Sequence, residues 1–502
     1  MIEPQINYIQ EPSLTFAHGQ KALDPRDGLM LFGPFDSKRI KGQASIGIIG
    51  PSDLRQKMIA YLKLIHNKVV PESDPKKHPY FPGLESAFGL YINFDNIPEL
   101  EVSQRDIDDA LKQTNSNIRV HQLVNLYVEK LTGYSKEQEI PVGVWLVVIP
   151  ESVYIYGRPK SKIKITEDTI SYKPSKDLLY EQSLFLFDDI QEEAEQVRYA
   201  YQFEVDFHNQ LKARLLESMI VTQIIRESKI STEGFNERQL KQENQIKTAK
   251  AWNIAAALYY KSGGLPWKMG EVRDGVCYLG LVYKKTNENN NNACCAAQMF
   301  LDSGDGMVFR GNVGPWWNPE TKEFHLQSKD AKEIINQSIQ SYFDRFNTYP
   351  KEIFIHAKTY FDDNEWSGFE EATNGKCKII GVRIRDDHSF KLYRHNQYCI
   401  PRGMMFQYDV NKTYLWTKGF VPRLKTQIGL ETPNPIDIQI TRGQADIETV
   451  CKDILSLTKL NYNACIYGDG LPVTLKFADS IGEILTAGKN IKTGILPFKY
   501  YI

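Results

Sequence analysis

Long apolar runs are missing from this 502-residue sequence. No stretch approaches the ~20 consecutive apolar residues that a helix needs to cross a bilayer. The N-terminal MIEPQINYIQEPS has no basic segment followed by an apolar one, so no secretory signal is expected. Cysteine is scarce: the seven are odd in number, all lie from Cys277 onward, and neither CxxC nor a Cys/His metal spacing occurs, although Cys294 and Cys295 are adjacent. That excludes a disulfide framework and a zinc site, and points to buried thiols in a reducing, cytoplasmic setting. Charge of one sign is not in excess either, since 61 Lys and Arg face 62 Asp and Glu. A whole-chain basic coat is excluded, but a local basic groove is not. No GxGxxG follows a strand-like segment, which leaves a dinucleotide site unsupported, and no internal repeat is present.

What is there is alternation. In residues 1–266, strand-like runs ASIGIIGP (44–51), FGLYINF (88–94), VGVWLVVIP (142–150) and IVTQII (220–225) are separated by helical patterns. These are SDLRQKMIAYLKLIHN, capped by Ser52 or Asp53, DIDDALKQ (106–113), VHQLVNLYVEKLTG (120–133), residues 205–219 and AWNIAAALYYK (251–261). Strands alternating with helices predict a parallel sheet covered on both faces. The Gly/Pro-rich KSGGLPWKMGEVRDG (261–275) reads as the connection to a second domain, 267–502. There GVCYLGLVYKK (275–285), ACCAAQMFLD (293–302) and GMVFRGNVG (306–314) predict an antiparallel meander, with TNENNNN a solvated hairpin tip and SGDG a second turn. The helix SKDAKEIINQSIQSYFDRF, the strand EIFIHAK, the helix NEWSGFEEAT and the strand KIIGVRIRD follow. That order is the order of an RNase H-like domain.

One cluster carries chemistry. His208 and Lys212 are four residues apart, on one face of a helix. Thr222 and Gln223 follow in the next strand, and Lys261 closes the next long helix before GG-x-PW. An isolated i, i+4 pair is ordinarily a surface pair, but two ammoniums, an amide and an imidazole together can hold a terminal phosphate, which demands several converging donors. His208 can donate to it or stack under a first base. This ordered set resembles the MID-domain pocket of Argonaute proteins, and KLNYNACIYGDGLPVTLKFAD (459–479) resembles the end of their PIWI domain. The resemblance implies an α/β chain with a Rossmann-like MID domain (1–266), which binds a guide 5′ end, followed by an RNase H-like PIWI domain (267–502). With no room for the N-terminal and PAZ domains of long Argonautes, the likeness is to short prokaryotic ones. FAHGQKALDPRDGLMLFG (16–33), HNQLKARLLE and PFKYYI bring it near those encoded beside a TIR–APAZ protein. Family members often carry a further lysine where this chain has Ala257. By resemblance, a Mg²⁺ held partly by the terminal carboxylate of Ile502 replaces that charge at the guide 5′-phosphate.

The same resemblance makes an expectation about cutting. An active RNase H-like site needs about four carboxylate-type ligands for two metals. The first matches Val282, in Leu279-Gly280-Leu281-Val282, and the second falls at Ala357 or Lys358. Only Asp479 is retained. Asp362, Asp363 and Glu365 read as a helix N-terminus, where acids are favoured. Trp316 and Trp317 read as packing, with base stacking as the other use, and RHNQYCIPRG (394–403) with Arg423 and Lys425 is a candidate backbone-binding surface. The expected function is therefore binding of a 5′-phosphorylated guide RNA and recognition of complementary single-stranded DNA from plasmids or phage, with NAD hydrolysis in a TIR–APAZ partner. A heterodimer is implied, passing to a higher oligomer on target binding. The alternatives are a metal-dependent guided nuclease using acids such as Asp479 and Asp362, a partner with a sirtuin-like or nuclease effector, or a Rossmann-type nucleotide-binding protein.

Overall fold

The computed structural model describes the chain except for residues 1–2, 37–43, 73, 77, 138–140, 172–173, 175–187, 272, 286–292, 301–305, 311–315, 396, 430–431 and 489–495, and the side chains of 188–194, 285, 293–298 and 306–310. Two sheets organise it. The first has four parallel strands in the spatial order Glu99–Glu101, Ile46–Gly50, Val144–Ile149, Thr222–Arg226. Its two central strands, Ile46–Gly50 and Val144–Ile149, are buried at every position because both faces are covered. Ile49, Trp145, Val147 and Ile149 pack under the helices Gln104–Leu111, Ser116–Glu137 and Phe207–Leu215. Ile46, Ile48, Val144, Leu146 and Val148 face the other way, into the core that holds the helices Ser52–His66 and Glu237–Lys261.

Two expectations need correction here. FGLYINF is not a strand: Leu84–Phe88 is a short helix that ends on Gly89 at φ +63°. Leu90 and Ile92 are buried from irregular backbone, and the edge strand is ELE at 99–101. Period-two burial imitated a full strand, whereas the described pairing is a single bridge in which Tyr91 O accepts from Ala44 N at 2.9 Å. The helix Ser52–His66 has Pro51 at its N-cap and no side-chain cap, so neither Ser52 nor Asp53 plays that part. The Gly/Pro-rich connection is packed: Leu265, Trp267 and Met269 are buried, Trp267 Nε1 donates to Lys459 O at 3.0 Å, and Lys268–Met269 pairs with Leu14–Thr15.

The second sheet has ten strands. Toward one edge, Gly306–Arg310, Ala293–Phe300 and Val276–Lys285 form the antiparallel meander. Glu352–Ala357 and then Lys378–Asp386 join it in parallel, the RNase H-like order. The tips TNENNNN and SGDG lie outside the described residues. Cys277, Leu279, Leu281, Ile353, Ile355 and Ala357 point to one face, beneath the helices Ser328–Phe346 and Asp363–Thr373. Truncating any of these leucines or isoleucines to alanine costs about 2–5 kcal/mol. The alternate residues point to the helix Val473–Thr486. Gly280 is required there, because a Cβ would stand 1.9 Å from Thr474 O. At the sheet's far edge the N-terminal strand Gln5–Tyr8 pairs antiparallel with Met404–Gln407. Buried Glu11 fixes that excursion by accepting from Arg402 Nε at 2.9 Å and Lys459 Nζ at 2.8 Å. Of the described cysteines, Cys277, Cys451 and Cys465 are buried, whereas Cys377 and Cys399 are partly exposed and so depart from the expectation of buried thiols. No described helix is long and apolar enough to cross a membrane.

Candidate nucleic-acid-binding site

The helix Phe207–Leu215 starts where Asp206 accepts a hydrogen bond from Asn209 N at 2.9 Å, an N-cap. Phe207, Leu211 and Leu215, at i, i+4 and i+8, anchor it in the core, which aims Lys212 at the start of the neighbouring strand Thr222–Arg226. The helix Glu237–Lys261 opens with a capping box between Asn236 and Gln239 and delivers Lys261 from its last turn to the same point.

There the two ammoniums share one acceptor. Lys212 Nζ donates to Thr222 O and to Ile502 O, both at 2.6 Å, and Lys261 Nζ donates to Thr222 O at 2.9 Å and to Gln223 Oε1 at 2.6 Å. Their relative exposures are 2% and 1%, and the buried Thr222 Oγ1 has no hydrogen-bond partner. Among the described residues, no carboxylate side chain forms an ion pair with either lysine. A buried charge without a counter-ion is costly and responds by shifting its pKa. Burial pushes Lys212 down to about 7, and it pushes Lys261 well below its ordinary range with the charge of Lys212 adding to the effect. An arriving anion reverses that cost.

Gln223 and His208 open onto a cleft of about 590 Å³, also lined by Tyr154, Arg226, Asn253 and Glu483. Lys212, Thr222 and Lys261 lie behind Gln223 and not on the cleft wall. His208 is exposed at the rim, with Nδ1 3.0 Å from Asn209 Oδ1. Tyr154, Arg158 and Arg226 were not visible as a site in the sequence. Both guanidiniums stand over the Tyr154 ring, 3.6 and 3.8 Å from its centre.

These residues do not form a cage for a divalent cation by themselves. Thr222 O, Gln223 Oε1 and Ile502 O each face an ammonium, and among the described residues no group of three or more His, Cys, Asp or Glu is placed to hold a metal. Two cations with no Asp or Glu side chain between them suit an anion. Mg²⁺ fits this pocket only in the company of phosphate oxygens.

A second cluster lies where the sheet meets the helix Val473–Thr486. Val282 is buried against that side. Lys284 follows it on the same face, and Lys358 extends the strand Glu352–Ala357. Asp479 bridges the two lysines: Lys284 Nζ is 2.8 Å from Oδ1, and Lys358 Nζ is 2.8 Å from Oδ2. Burial alone would raise the carboxyl pKa, but the two ammoniums bring it below the ordinary carboxylate range. Lys284 also reaches Glu483 at 3.1 Å. The sequence did not single out Lys284, although strand alternation from Val282 could have done so.

Several other candidates are engaged in capping, packing or pairing. Asp362 is the N-cap of Asp363–Thr373, accepting from Asn364 N at 2.9 Å, as an acid at a helix start should. Glu365 is more than an N-terminal acid: it is buried, accepting from Leu326 N at 3.2 Å and from Tyr283 Oη. Trp317 packs on Phe324 and Trp316 on His325 across the two-stranded Trp316–Asn318/Glu323–His325 pair. Within 394–403, Arg402 is not a surface group, being buried on Glu11 and Thr458, and Arg423 is paired with Asp27.

A scan against protein-family models and a search of curated proteins found no match. Solved structures do match. Clostridium butyricum Argonaute bound to a guide DNA (5′ deoxycytidine) and a 19-mer target DNA aligns over 99% of this chain and 55% of its own, at 16% identity and a TM-score of 0.64. Aquifex aeolicus Argonaute aligns over 100% and 57%, at 16% identity and a TM-score of 0.56. Drosophila Piwi aligns over 99% and 56%, at 12% identity and a TM-score of 0.55. The likeness is one of fold, and the chain spans just over half the length of each of these proteins. The architecture, a mixed α/β chain with a large RNase H-like sheet, is that of the MID–PIWI part of Argonautes.

Proposed function

We propose that the chain is a guide-binding, nuclease-inactive short Argonaute. Residues 1–266 serve as the MID domain and hold the 5′-phosphate of a guide RNA through His208, Lys212, Thr222, Gln223 and Lys261. Residues 267–502 serve as the PIWI domain and accommodate the guide paired with single-stranded DNA from plasmids or phage. The observation that carries this reading is the pair of buried ammoniums on Thr222 O, paired with no Asp or Glu side chain among the described residues and with the Ile502 oxygen beside Lys212 alone. A terminal phosphate supplies the missing charge and accepts from both lysines, from the unpartnered Thr222 hydroxyl and from Gln223 after its amide turns. A Mg²⁺ enters with the phosphate, with the Ile502 oxygen as the chain's contribution, and Mg²⁺ titrated into guide-free protein should give no binding heat.

Cutting is not part of this reading. The apolar Val282 and the cation Lys358 stand at positions where ligands for two metals are needed, and the retained Asp479 is already engaged by two ammoniums. The output belongs to a second protein, a TIR–APAZ NAD hydrolase that forms a heterodimer with this cytoplasmic chain and assembles further once target is paired. Its basis is the likeness of residues 16–33 and the C-terminal PFKYYI to short Argonautes with such partners.

The test is co-expression with the neighbouring gene, followed by measurement of NAD consumption with 5′-phosphorylated guide RNA and complementary single-stranded DNA. NAD loss that requires both strands is expected, with no cleaved DNA or RNA in Mg²⁺ or Mn²⁺. A stable heterodimer that leaves NAD intact would replace the TIR effector by a sirtuin-like or nuclease one. Site-specific cleavage abolished by Asp479→Ala would establish the guided-nuclease reading instead.

A further inference from the structure

The degenerate nuclease centre has a feature that loss of activity alone does not require. Both oxygens of Asp479 are occupied, each by a different lysine at 2.8 Å. Lys284 is held on two sides, by Asp479 and by Glu483 at 3.1 Å, and its side chain is 25% exposed. Lys358 has Asp479 as its ion-pair partner and is 41% exposed. An ammonium carries three donors, and Asp479 takes one of them.

The position of this ammonium is built, not incidental. His356 Nδ1 contacts Thr474 Oγ1 at 2.9 Å, and the bare Gly280 lets the backbone of Thr474 rest directly on the sheet. Asp479, further along the same helix Val473–Thr486, therefore stands over the end of the strand Glu352–Ala357, where Lys358 emerges. The helix also carries Glu483, which lines the cleft beside His208 and Gln223. One rigid element thus connects the guide pocket to the Lys358 ammonium.

We propose that Lys358, aimed by Asp479 and steadied through Lys284, is a binding site for a backbone phosphodiester of the guide–target duplex. It places a fixed cation where a cutting enzyme would need a metal. This rests on the guide-binding reading above and adds to it a named contact that forms with paired target. A non-bridging phosphate oxygen accepts one of the remaining N–H donors of Lys358, while the Asp479 contact persists. The contact is independent of base identity, since a phosphate carries no sequence information.

The experiment measures binding of complementary single-stranded DNA to guide-loaded protein across a salt series, with guide loading quantified separately. Lys358→Ala should weaken target binding several-fold and make the slope of log K against log salt shallower by about 0.7–0.9, the release expected for one phosphate contact. Lys358→Arg should restore both. Asp479→Asn keeps the shape but removes the competing charge, so target affinity should hold or rise. Unchanged affinity and slope in Lys358→Ala, with normal guide loading, would overturn the proposal while leaving the guide pocket intact. Loss of guide loading in wild-type protein would instead remove the reading on which it rests. Weaker target binding in Asp479→Asn than in Lys358→Ala would also overturn it, since the carboxylate would then be the group that matters.

Discussion

Two lysine pairs in this molecule meet opposite fates. Lys212 and Lys261 are buried and converge on a main-chain oxygen, with no Asp or Glu side chain paired to either among the described residues. Lys284 and Lys358 are part-exposed and converge on Asp479. In the first pair desolvation dominates, and burial drives both pKa values down. In the second, Asp479 and Glu483 raise Lys284 above its ordinary range although burial opposes them. The same side chain is therefore short of negative charge in one place and supplied with it in the other. A pocket of the first kind gains most from an incoming phosphate, whereas a cluster of the second kind resists a metal and offers a phosphate the smaller gain of the Lys358 donors that Asp479 leaves free.

The comparison breaks most completely when the first pair loses its charge. Lys212→Met with Lys261→Met keeps volume and removes two charge-assisted contacts worth about 1.5–3 kcal/mol each. Affinity for 5′-phosphorylated RNA should fall by roughly 10²- to 10⁴-fold, read by filter binding. Because two unpaired buried charges disappear, the melting temperature should hold or rise. Retained affinity would dissolve the distinction between the pairs.

Giving the first pair what the second already has should act next most strongly. Gln223→Glu places a carboxylate 2.6 Å from the Lys261 ammonium, judged from the amide oxygen it replaces. Thermal stability should increase, while guide affinity falls on the order of tenfold or more, since the phosphate then meets a like charge. Calorimetry on the free and loaded forms reads both. Gln223→Ala removes one donor and no charge, so about 0.5–1.5 kcal/mol of affinity should be lost, less than either change above.

Acidity sharpens the same contrast. Free Lys212 is depressed to about 7, and a bound phosphate should return it toward the ordinary lysine value of about 10.4. The bound state then holds more protons above pH 7, so guide affinity should weaken as pH rises from 7 to 9, by at most about tenfold per unit for each proton taken up. Isothermal titration in buffers of different ionisation heat should register proton uptake at pH 8. The sign for folding is the reverse: the unfolded chain keeps this lysine protonated to about 10.4, so the stability of the guide-free protein should improve over that window.

Much of this was legible from one sequence, and the failures have physical causes. The helix Ser328–Phe346 and the strand Lys378–Asp386 stand where their periodicity put them, because period and packing agree there. His208, Lys212, Thr222, Gln223 and Lys261 do assemble in one region, but sequence could not say that the lysines would sit behind Gln223, nor that Thr222 would offer its carbonyl to both. Residues 88–94 misled because apolar alternation marks burial, and burial does not require a ladder. The pairing of Gln5–Tyr8 with Met404–Gln407 joins segments about 400 residues apart, and no local pattern encodes it. Of the Lys284–Asp479–Lys358 cluster only Lys284 escaped, for a related reason: a lysine's identity carries no sign of which helix will cross above it.

The most direct measurement compares 5′-phosphorylated with 5′-hydroxyl RNA of one sequence, bound to wild-type protein and to the Lys212→Met, Lys261→Met variant. The buried lysine pair predicts a preference of at least a hundredfold for the phosphate in wild type, reduced to near unity in the variant. Equal affinity of wild-type protein for the two RNAs would contradict it.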